Sequence, residues 1–308
     1  TPTIQGASVY AMGATGFLDC LDLTSGELRW SRDVLEGNKA GNAFYGKACS
    51  PLFVGAERSE VEGGMVVVTG GGEGGPTVLA FRAIDGKSVW SAGEDGASYA
   101  SPVLAPLAGR WQIVSVNANS VTGHAVTSGE ILWSYRWPST FPRASQPRVL
   151  PGDRVLLTAS YGMGNAMLRI VAGGGEAGLR VERLWESLAM KTKFSNVCLR
   201  QGYAYGLDEG RLACMDLKTG KRVWKGGKYG YGQNLLAGAF LVIQVESGEI
   251  ALARADPLGF EGLARIPALG GKTWNTPALA GGILLLRNDR EAVAFHLPLV
   301  TRLPPAGF

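Results

Sequence analysis

Six short segments of the chain concentrate residue types that could bind a ligand. Each carries cationic, aromatic or amide side chains and directly precedes a run rich in apolar residues. A cation beside an aromatic ring can hold a planar anion through charge and ring contact. The candidate contacts are Tyr99, Arg143, Gln146, Lys193, Tyr231, Lys272, Trp274 and Asn275, and the same segments hold Asn42, Tyr45, Lys47, Asn196 and Gln233. The alternative is a solvated polar surface without a ligand, and the sequence leaves both open.

No catalytic set and no metal site can be assembled from the sequence. The two histidines, His124 and His296, have no Ser/Asp or Cys partner in a recognisable pattern and are interpreted as packing or surface residues. The carboxylates that could reach the candidate segments are scattered over different parts of the chain: Glu73, Asp95, Asp208, Glu209, Glu246 and Asp289. None of them pairs at a catalytic spacing, so no catalytic residue is predicted.

The four cysteines and two glycine-rich stretches also suggest structure rather than chemistry. Cys20, Cys49, Cys198 and Cys214 lack CxxC spacing, and buried free thiols are predicted. The stretches 70–75 and 173–178 both match GxGxxG. Each lies between two β-rich runs, where no helix N-terminus could receive a pyrophosphate. They are therefore interpreted as hairpin loops and not as nucleotide sites.

An internal repeat defines the elements that must position the candidate residues. The segments LDLTSGELRW, RAIDGKSVW, AVTSGEILW and MDLKTGKRVW share a glycine followed, after three residues, by tryptophan. The glycine suits a tight turn with positive φ, and its missing side chain leaves room for an indole. The repeat tryptophans, with a fifth in a looser copy, are predicted to pack between repeats: Trp30, Trp90, Trp133, Trp185 and Trp224.

The repeats predict an all-β fold of the β-propeller class. Each turn follows short β-rich runs, which gives four strands per unit and no helical periodicity. Seven units begin near residues 1, 50, 101, 146, 195, 233 and 275, in a single domain over 1–308. The last unit shows three strands before a proline-containing tail, 297–308. We therefore expect a strand or blade upstream of Thr1, and eight blades in the full chain.

The direction of the strands sorts the connecting loops onto two faces. Loops that enter the first strand of a unit share a face with the hairpin between its second and third strands. The candidate ligand segments are on that face, whereas the repeat turns lie at the opposite end. Asp22, Asp85 and Asp216 belong to those turns, where a carboxylate accepts backbone N–H groups, so a structural role is predicted for them.

Composition excludes several classes of protein. Apolar residues are 46% and charged residues 18% of the 308 residues, which excludes a disordered chain. The net charge of +4 permits an anionic partner but is low for a nucleic-acid-binding protein. A basic patch opposed only by Asp216 is interpreted as a protected sheet edge or a docking site for an acidic partner or lipid head group: Lys218, Lys221, Arg222, Lys225 and Lys228.

The unit ending in DxxTGxxxW resembles the pyrroloquinoline-quinone-type (PQQ-like) repeat. This repeat is shared by quinoprotein alcohol dehydrogenases and by the propeller lipoprotein of the Bam complex. TPTIQGASVYAMGATGFLDCLD, SYASPVL, KGGKYGYGQ and GGKTWNTPAL are similar to bacterial PQQ-binding-like β-propeller proteins. The resemblance implies eight blades and an exported, periplasmic protein. It implies no single activity, because the superfamily contains both cofactor enzymes and scaffolds.

Two functions follow from this resemblance. The enzyme class requires a calcium shell with Glu and Asn and a carboxylate base, and many members have a vicinal disulfide, whereas this sequence has no Cys-Cys pair and short loops. The leading hypothesis is therefore a non-catalytic scaffold without a cofactor, which binds another protein or an envelope complex. Membrane-peripheral contact is left open, and no transmembrane segment is expected. The alternative is a PQQ- and calcium-dependent dehydrogenase that uses the candidate contacts.

Overall fold

The computed structural model describes residues 1–38, 40–71, 75–173 and 178–297. Nearly all regular structure in these residues is β-strand. A 3₁₀ turn, Glu36–Asn38, and a one-turn helix α1, Ala56–Ser59, are the exceptions among the described residues, and the repeat pattern did not predict them. Within that part of the chain, no helix is long and apolar enough to span a membrane. The described chain divides into two compact units, which begin at Thr1 and Ala189.

The first unit, Thr1–Leu188, contains four antiparallel sheets of four strands each. Within each sheet, strands that follow one another in the chain pair with each other, so each sheet is a simple meander. The first sheet contains β1 (Thr3–Gln5), β2 (Ser8–Met12), β3 (Phe17–Asp22) and β4 (Leu28–Asp33), and the second contains β5 (Leu52–Val54), β6 (Met65–Thr69), β7 (Val78–Arg82) and β8 (Ser88–Ala92). The third contains β9 (Val103–Leu107), β10 (Arg110–Val116), β11 (Ser120–Ala125) and β12 (Ile131–Arg136), and the fourth contains β13 (Arg148–Leu150), β14 (Arg154–Ala159), β15 (Gly164–Ala172) and β16 (Leu179–Ser187).

The second unit, described from Ala189 to residue 297, continues the same meander through three sheets. The fifth sheet contains β17 (Cys198–Arg200), β18 (Tyr203–Asp208), β19 (Arg211–Asp216) and β20 (Arg222–Gly226). The sixth contains β21 (Gln233–Ala237), β22 (Phe240–Gln244), β23 (Glu249–Arg254) and β24 (Gly262–Pro267). The seventh has three strands in the described residues: β25 (Ala278–Ala280), β26 (Ile283–Arg287) and β27 (Ala292–His296).

These seven consecutive antiparallel sheets confirm the predicted all-β, β-propeller fold class. The first strands of the sheets lie close to the predicted repeat starts, and the unit boundaries themselves stay predictions. The start near 233 is the observed Gln233, and the start near 195 compares with Cys198. The three strands expected in the last unit are β25, β26 and β27, while residues 298–308 of the proline-containing tail lie outside the described residues. The single-domain boundary of 1–308 and an eighth blade stay predictions.

The repeat turns form as the sequence predicts. Asp22 Oδ1 accepts the backbone N–H groups of Thr24 at 2.8 Å and Ser25 at 2.9 Å. Asp216 Oδ1 accepts those of Lys218 at 2.9 Å and Thr219 at 2.7 Å. Asp85 accepts a similar bond from the Lys87 backbone. The structural role predicted for these carboxylates is confirmed.

Three repeat tryptophans, Trp30, Trp90 and Trp224, donate hydrogen bonds to neighbouring sheets inside each unit. The indole N–H of Trp30 donates to Ala83 O at 3.0 Å, and that of Trp90 donates to Val126 O at 3.0 Å. In both cases the acceptor follows the third strand of the next sheet. Trp224 repeats the contact in the second unit, where its N–H donates to Asp256 O at 2.8 Å. Packing between repeats is therefore confirmed at these tryptophans.

A tyrosine–cysteine–tryptophan row recurs in the first and fifth sheets. Tyr10 pairs across the ladder with Cys20, which faces Trp30, and Tyr205 pairs with Cys214, which faces Trp224. All four cysteines are buried and free, as predicted. Burial raises the pKa of the Cys214 thiol to about 12, so this thiol is unreactive at neutral pH.

The basic patch requires a correction. Arg222 Nη2 lies 2.8 Å and Lys225 Nζ lies 2.7 Å from the carboxylate of Asp208, which is fully buried. Two of the five cations therefore neutralise a buried carboxylate. The prediction that Asp216 is the one carboxylate opposing the patch is wrong, because Asp208 pairs with Arg222 and Lys225. The pairing was hidden in the sequence because Asp208 precedes the patch by an entire strand.

Candidate functional site

Three loops of the first unit meet at the face where the ligand segments were predicted. They enter β5, β9 and β13, and hydrogen bonds join them. The Tyr99 hydroxyl accepts the backbone N–H of Tyr45 at 3.2 Å, and the Tyr99 N–H donates to Arg143 O at 2.9 Å. The Tyr45 and Tyr99 rings lie 5.8 Å apart. Tyr99 thus holds the other two loops together.

These loops enclose a concave site of about 350 Å³, which we call the aromatic cup. Its aromatic and proline walls are Phe44, Tyr45, Tyr99, Phe141 and Pro142. Ala97, Ser98 and Ala118 also line it, and Arg143 is the one cation among the described residues that line it. Phe44 is 91% exposed and Tyr45 66% exposed. A rim of exposed aromatic rings above small residues can accept a ring or an apolar side chain.

Arg143 occupies an unusual environment in the aromatic cup. Its side chain is 3% exposed, Nη1 donates to Trp137 O, and the guanidinium carbon lies 5.5 Å from the Trp137 ring centre. Among the described residues it forms no ion pair, and its buried Nη2 has no hydrogen-bond partner. Burial lowers the pKa of Arg143 to about 10, with Asp95 opposing that shift. The arginine remains charged at neutral pH and has unused donor capacity.

Other predicted residues of the first unit are engaged by the protein. Lys47 is buried, and its ammonium group donates to Thr69 Oγ1 at 3.3 Å and to Gly70 O. Burial lowers the pKa of Lys47. Asn42 donates to Ala14 O at 2.9 Å, and Gln146 is half-buried beside the same loops. Lys47 and Asn42 therefore hold loop backbone in this structure.

In the second unit the predicted residues form a row in which a cation lies at each end of a group of aromatic rings. Lys193 Nζ lies 4.0 Å from the Tyr231 ring centre, and Lys272 Nζ lies 4.8 Å from that of Trp274. Phe194 contacts both aromatic rings, with centre distances of 6.1 Å to Tyr231 and 5.3 Å to Trp274. Cation–π contacts fix the two lysines on this surface.

A carboxylate organises this row. Glu246, in the hairpin between β22 and β23, accepts the backbone N–H of Tyr231 at 3.0 Å and the indole N–H of Trp274 at 2.9 Å. The Tyr231 hydroxyl also donates to Glu209 at 3.3 Å. The hairpin between the second and third strands of the sixth sheet therefore lies on the same face as the loops that hold Tyr231 and Trp274, as strand direction predicts. Both carboxylates act as acceptors within the protein.

The amide side chains predicted nearby are engaged in the same way. Gln233 donates to Phe194 O at 3.0 Å and accepts from Thr276 at 3.4 Å. In the amide orientation that matches donor with acceptor, Asn275 donates to Arg287 O and accepts from the Arg287 side chain. Asn196 is half-buried in the loop that enters β17. The second unit thus brings together Lys193, Tyr231, Lys272 and Trp274.

The remaining carboxylates and histidines offer no acid–base pair in the described chain. Asp95 accepts from Asn119 and Ser120, Asp208 is in its buried ion pairs, and Asp289 is exposed. His124 is buried between Thr122 Oγ1 and Gly129 O, and this burial lowers the pKa of its imidazole. His296 is exposed. Glu73 and the centres of both GxGxxG stretches lie outside the described residues, although strands flank both stretches as predicted.

The described residues do not fit a quinone–calcium centre. No three of their His, Cys, Asp or Glu side chains converge in a way that could hold a metal ion. Asp95 and Glu246 on the candidate face already accept hydrogen bonds from the protein, and Arg143 is the one cation among the described residues that line the aromatic cup. A calcium shell needs several free oxygen ligands.

The sequence did not single out the phenylalanines of the site. Phe44, Phe141 and Phe194 lie in the same segments as the predicted contacts, but they are not among the predicted site residues. Phe141 is exposed and stacks on Tyr161 at 4.8 Å. The useful signal was an aromatic residue inside a loop rather than in a strand.

Comparisons with known proteins extend these observations. An outer membrane protein assembly factor BamB from Burkholderia pseudomallei (strain K96243) is 24% identical over 240 residues. That match covers 73% of this chain and 54% of the relative, so the chain spans about half the length of that protein.

Solved structures share the fold. BamB from Moraxella catarrhalis has a TM-score of 0.65 and 15% identity, covering 94% of this chain and 79% of that one. A quinohemoprotein alcohol dehydrogenase from Pseudomonas putida HK5 has a TM-score of 0.53 and 12% identity, covering 95% and 61% respectively. Both structures therefore share the fold of this chain.

The family model described as outer membrane protein assembly factor BamB matches residues 1–226. This match covers the four sheets of the first unit and the fifth sheet of the second. It includes the repeat turns, the contacts of Trp30 and Trp90, and the aromatic cup. The chain therefore belongs to the BamB family of PQQ-like β-propeller proteins.

Proposed function

We propose that this protein is a non-catalytic scaffold that binds another protein during assembly of outer-membrane proteins. Its family and its relative from Burkholderia pseudomallei carry that role in their names. The observation that carries the proposal is the rim of exposed aromatic rings on loops that are fixed by hydrogen bonds. Such rings supply most of the binding energy at many protein interfaces.

Rigid display is the proposed mechanism. Tyr99 bonds to both neighbouring loops, and Lys47 ties its own loop to the end of β6. A partner that contacts Phe44, Tyr45 and Phe141 would therefore meet a surface that needs little reordering. A surface that is already ordered loses less entropy on binding, which favours affinity.

The same proposal places the protein in the periplasm, as an exported chain. The relatives named for outer-membrane assembly support this location. The four cysteines are compatible with an oxidising compartment because all are buried and free. We further propose that the protein functions without a cofactor. Three carboxylates that could have bound calcium accept hydrogen bonds within the protein instead: Asp95, Glu209 and Glu246.

Site-specific photocrosslinking tests the scaffold function. A benzophenone amino acid would replace Phe44 in the full-length protein expressed in its native host. The same probe at Leu258, which is 95% exposed in the turn before β24, is the control. We expect Phe44 to crosslink to a defined component of outer-membrane protein assembly and Leu258 not to do so.

Two results would overturn the proposal. One is the absence of a defined protein adduct at Phe44 at native expression. The other is quinone-dependent alcohol oxidation by the purified full-length protein, with saturable quinone and calcium, because that would establish catalysis.

A double variant Phe44→Ala/Tyr45→Ala should reduce outer-membrane protein content without changing the melting temperature, since both rings are exposed.

A further inference from the structure

The aromatic cup combines two features that recognise different parts of one ligand. Its walls are rings and a proline, and its volume of about 350 Å³ suits one large side chain with adjoining backbone. Arg143 lines the same cup from a buried position. A ligand that fills the cup therefore comes within reach of a cation.

Arg143 needs an acceptor that the described protein does not provide. Nη1 is bound by a neutral carbonyl, Trp137 O, while Nη2 is buried without a partner. Asp95, the carboxylate that influences it, accepts hydrogen bonds from Asn119 and Ser120. Buried cations are otherwise paired or hydrogen-bonded in full, because an unpaired charge is costly to bury. A carboxylate of a ligand placed within hydrogen-bond distance of the guanidinium would supply the missing acceptor.

We propose that the aromatic cup binds an aromatic residue of a partner polypeptide whose adjacent carboxylate pairs with Arg143. This inference rests on the proposed scaffold function and specifies the chemistry of the partner. The carboxylate has two sources, the C-terminus of the partner chain or a neighbouring Asp or Glu side chain. Phe44 and Tyr45, exposed at the rim, would contact the residues that flank the bound ring.

The cup fits such a peptide better than it fits pyrroloquinoline quinone. The quinone carries three carboxylates on a rigid planar ring system, whereas Arg143 is the one cation among the described residues that line the cup. Two carboxylates of the quinone would remain without a charged partner. A single aromatic residue with one carboxylate matches the groups that are present.

Four capped peptides test the inference on the full-length protein. Acetyl-Phe with a free carboxylate is compared with acetyl-Phe-amide, and acetyl-Phe-Asp-amide is compared with acetyl-Phe-Asn-amide. Affinity is measured by chemical-shift changes in NMR spectra. We expect at least one charged peptide to bind about tenfold more tightly than its neutral counterpart, as a charge-assisted hydrogen bond implies. The preferred pair identifies the source of the carboxylate.

Matched variants assign the effect to the residues. Arg143→Gln should abolish the preference for the charged peptide, while Arg136→Gln, which changes an exposed arginine in the same region, should keep it. Phe141→Ala should weaken charged and neutral peptides by a similar factor, because it removes a wall and leaves the cation in place. Melting curves verify that each variant is folded, and Phe141→Ala remains informative if Arg143→Gln does not fold.

Several results would overturn the inference. These are equal binding of charged and neutral peptides, no binding at millimolar concentration, or tighter binding of pyrroloquinoline quinone than of either charged peptide. Crosslinking at Phe44 separates this failure from failure of the scaffold function. A Phe44 adduct without charge preference would reject the carboxylate recognition alone, whereas peptide binding without any adduct would reject the scaffold function.

Discussion

Gly86 lies directly against the indole of Trp30, the tryptophan of the preceding repeat. A Cβ at Gly86 would come within 2.7 Å of Trp30 Cε3, and the backbone φ there is +67°. Gly129 has the same relation to Trp90, at 2.5 Å. The glycine and the tryptophan that recur in the sequence are thus partners across neighbouring sheets. The turn of one repeat is shaped by the outer strand of the repeat before it.

This contact predicts different costs for the same substitution in two repeats. Gly26 is the equivalent glycine of the first sheet, with φ of +74° and no atom within 4 Å of an added Cβ. Gly26→Ala should therefore lower the free energy of unfolding by about 1 kcal/mol, through backbone strain alone. Gly86→Ala adds overpacking against Trp30, for a total of about 3 kcal/mol. If urea unfolding gave equal losses of unfolding free energy for the two variants, the contact with the Trp30 indole would not be the reason for glycine at position 86.

The tyrosine–cysteine–tryptophan rows provide a second matched comparison. The Tyr10 hydroxyl donates to Ala83 O at 3.2 Å, whereas the Tyr205 hydroxyl is buried with no hydrogen-bond partner in the described chain and has the Cys214 thiol nearby. Tyr10→Phe should lower the free energy of unfolding by about 1 kcal/mol. Tyr205→Phe should leave it unchanged or raise it, because a desolvated hydroxyl is removed. A larger loss for Tyr205→Phe in denaturant melts would contradict this assignment.

Strand and turn positions were predictable, whereas the aromatic cup was not. The repeat glycine, the turn aspartate and the tryptophan are local signals, so the turn at Asp216 and the start of β21 could be located from sequence. The burial of Lys47 and Arg143 depends on loops that are far apart in the chain. Loop sequences have no hydrophobic periodicity, so the sequence does not distinguish a cation that faces solvent from one that is buried against a carbonyl group. The sequence therefore predicts the segments of the candidate site, whose role stays a prediction, but not which charges remain available.

Asp208 illustrates the same limit and gives a third prediction. Its fully buried carboxylate bonds to Arg222, Lys225 and the backbone N–H of Lys191. Asp208→Asn should lower the free energy of unfolding by about 2 kcal/mol, less than for a fully buried pair because the two cations are partly exposed. Glu261→Gln, which breaks an exposed pair with Arg254, should change it by less than about 0.5 kcal/mol. Similar effects of both variants on chemical unfolding would argue against a structural role for Asp208.

Asp22 predicts how stability changes with acid. The pKa of Asp22 is lowered to about 2, from an ordinary value of 3.8, by hydrogen bonds from the Ser25 backbone N–H, the Arg29 side chain and the Thr24 backbone N–H. The unfolded chain therefore binds a proton more readily than the folded chain between these values, so the contribution of Asp22 is present above about pH 4 and is lost as pH falls toward 2. Asp22→Asn removes this dependence. Melting temperatures from pH 6 to pH 2 should thus show a deficit for the variant that shrinks below pH 4. Asp289→Asn, at an exposed position, serves as the control, and a deficit for Asp22→Asn that stays constant down to pH 2 would contradict the assignment.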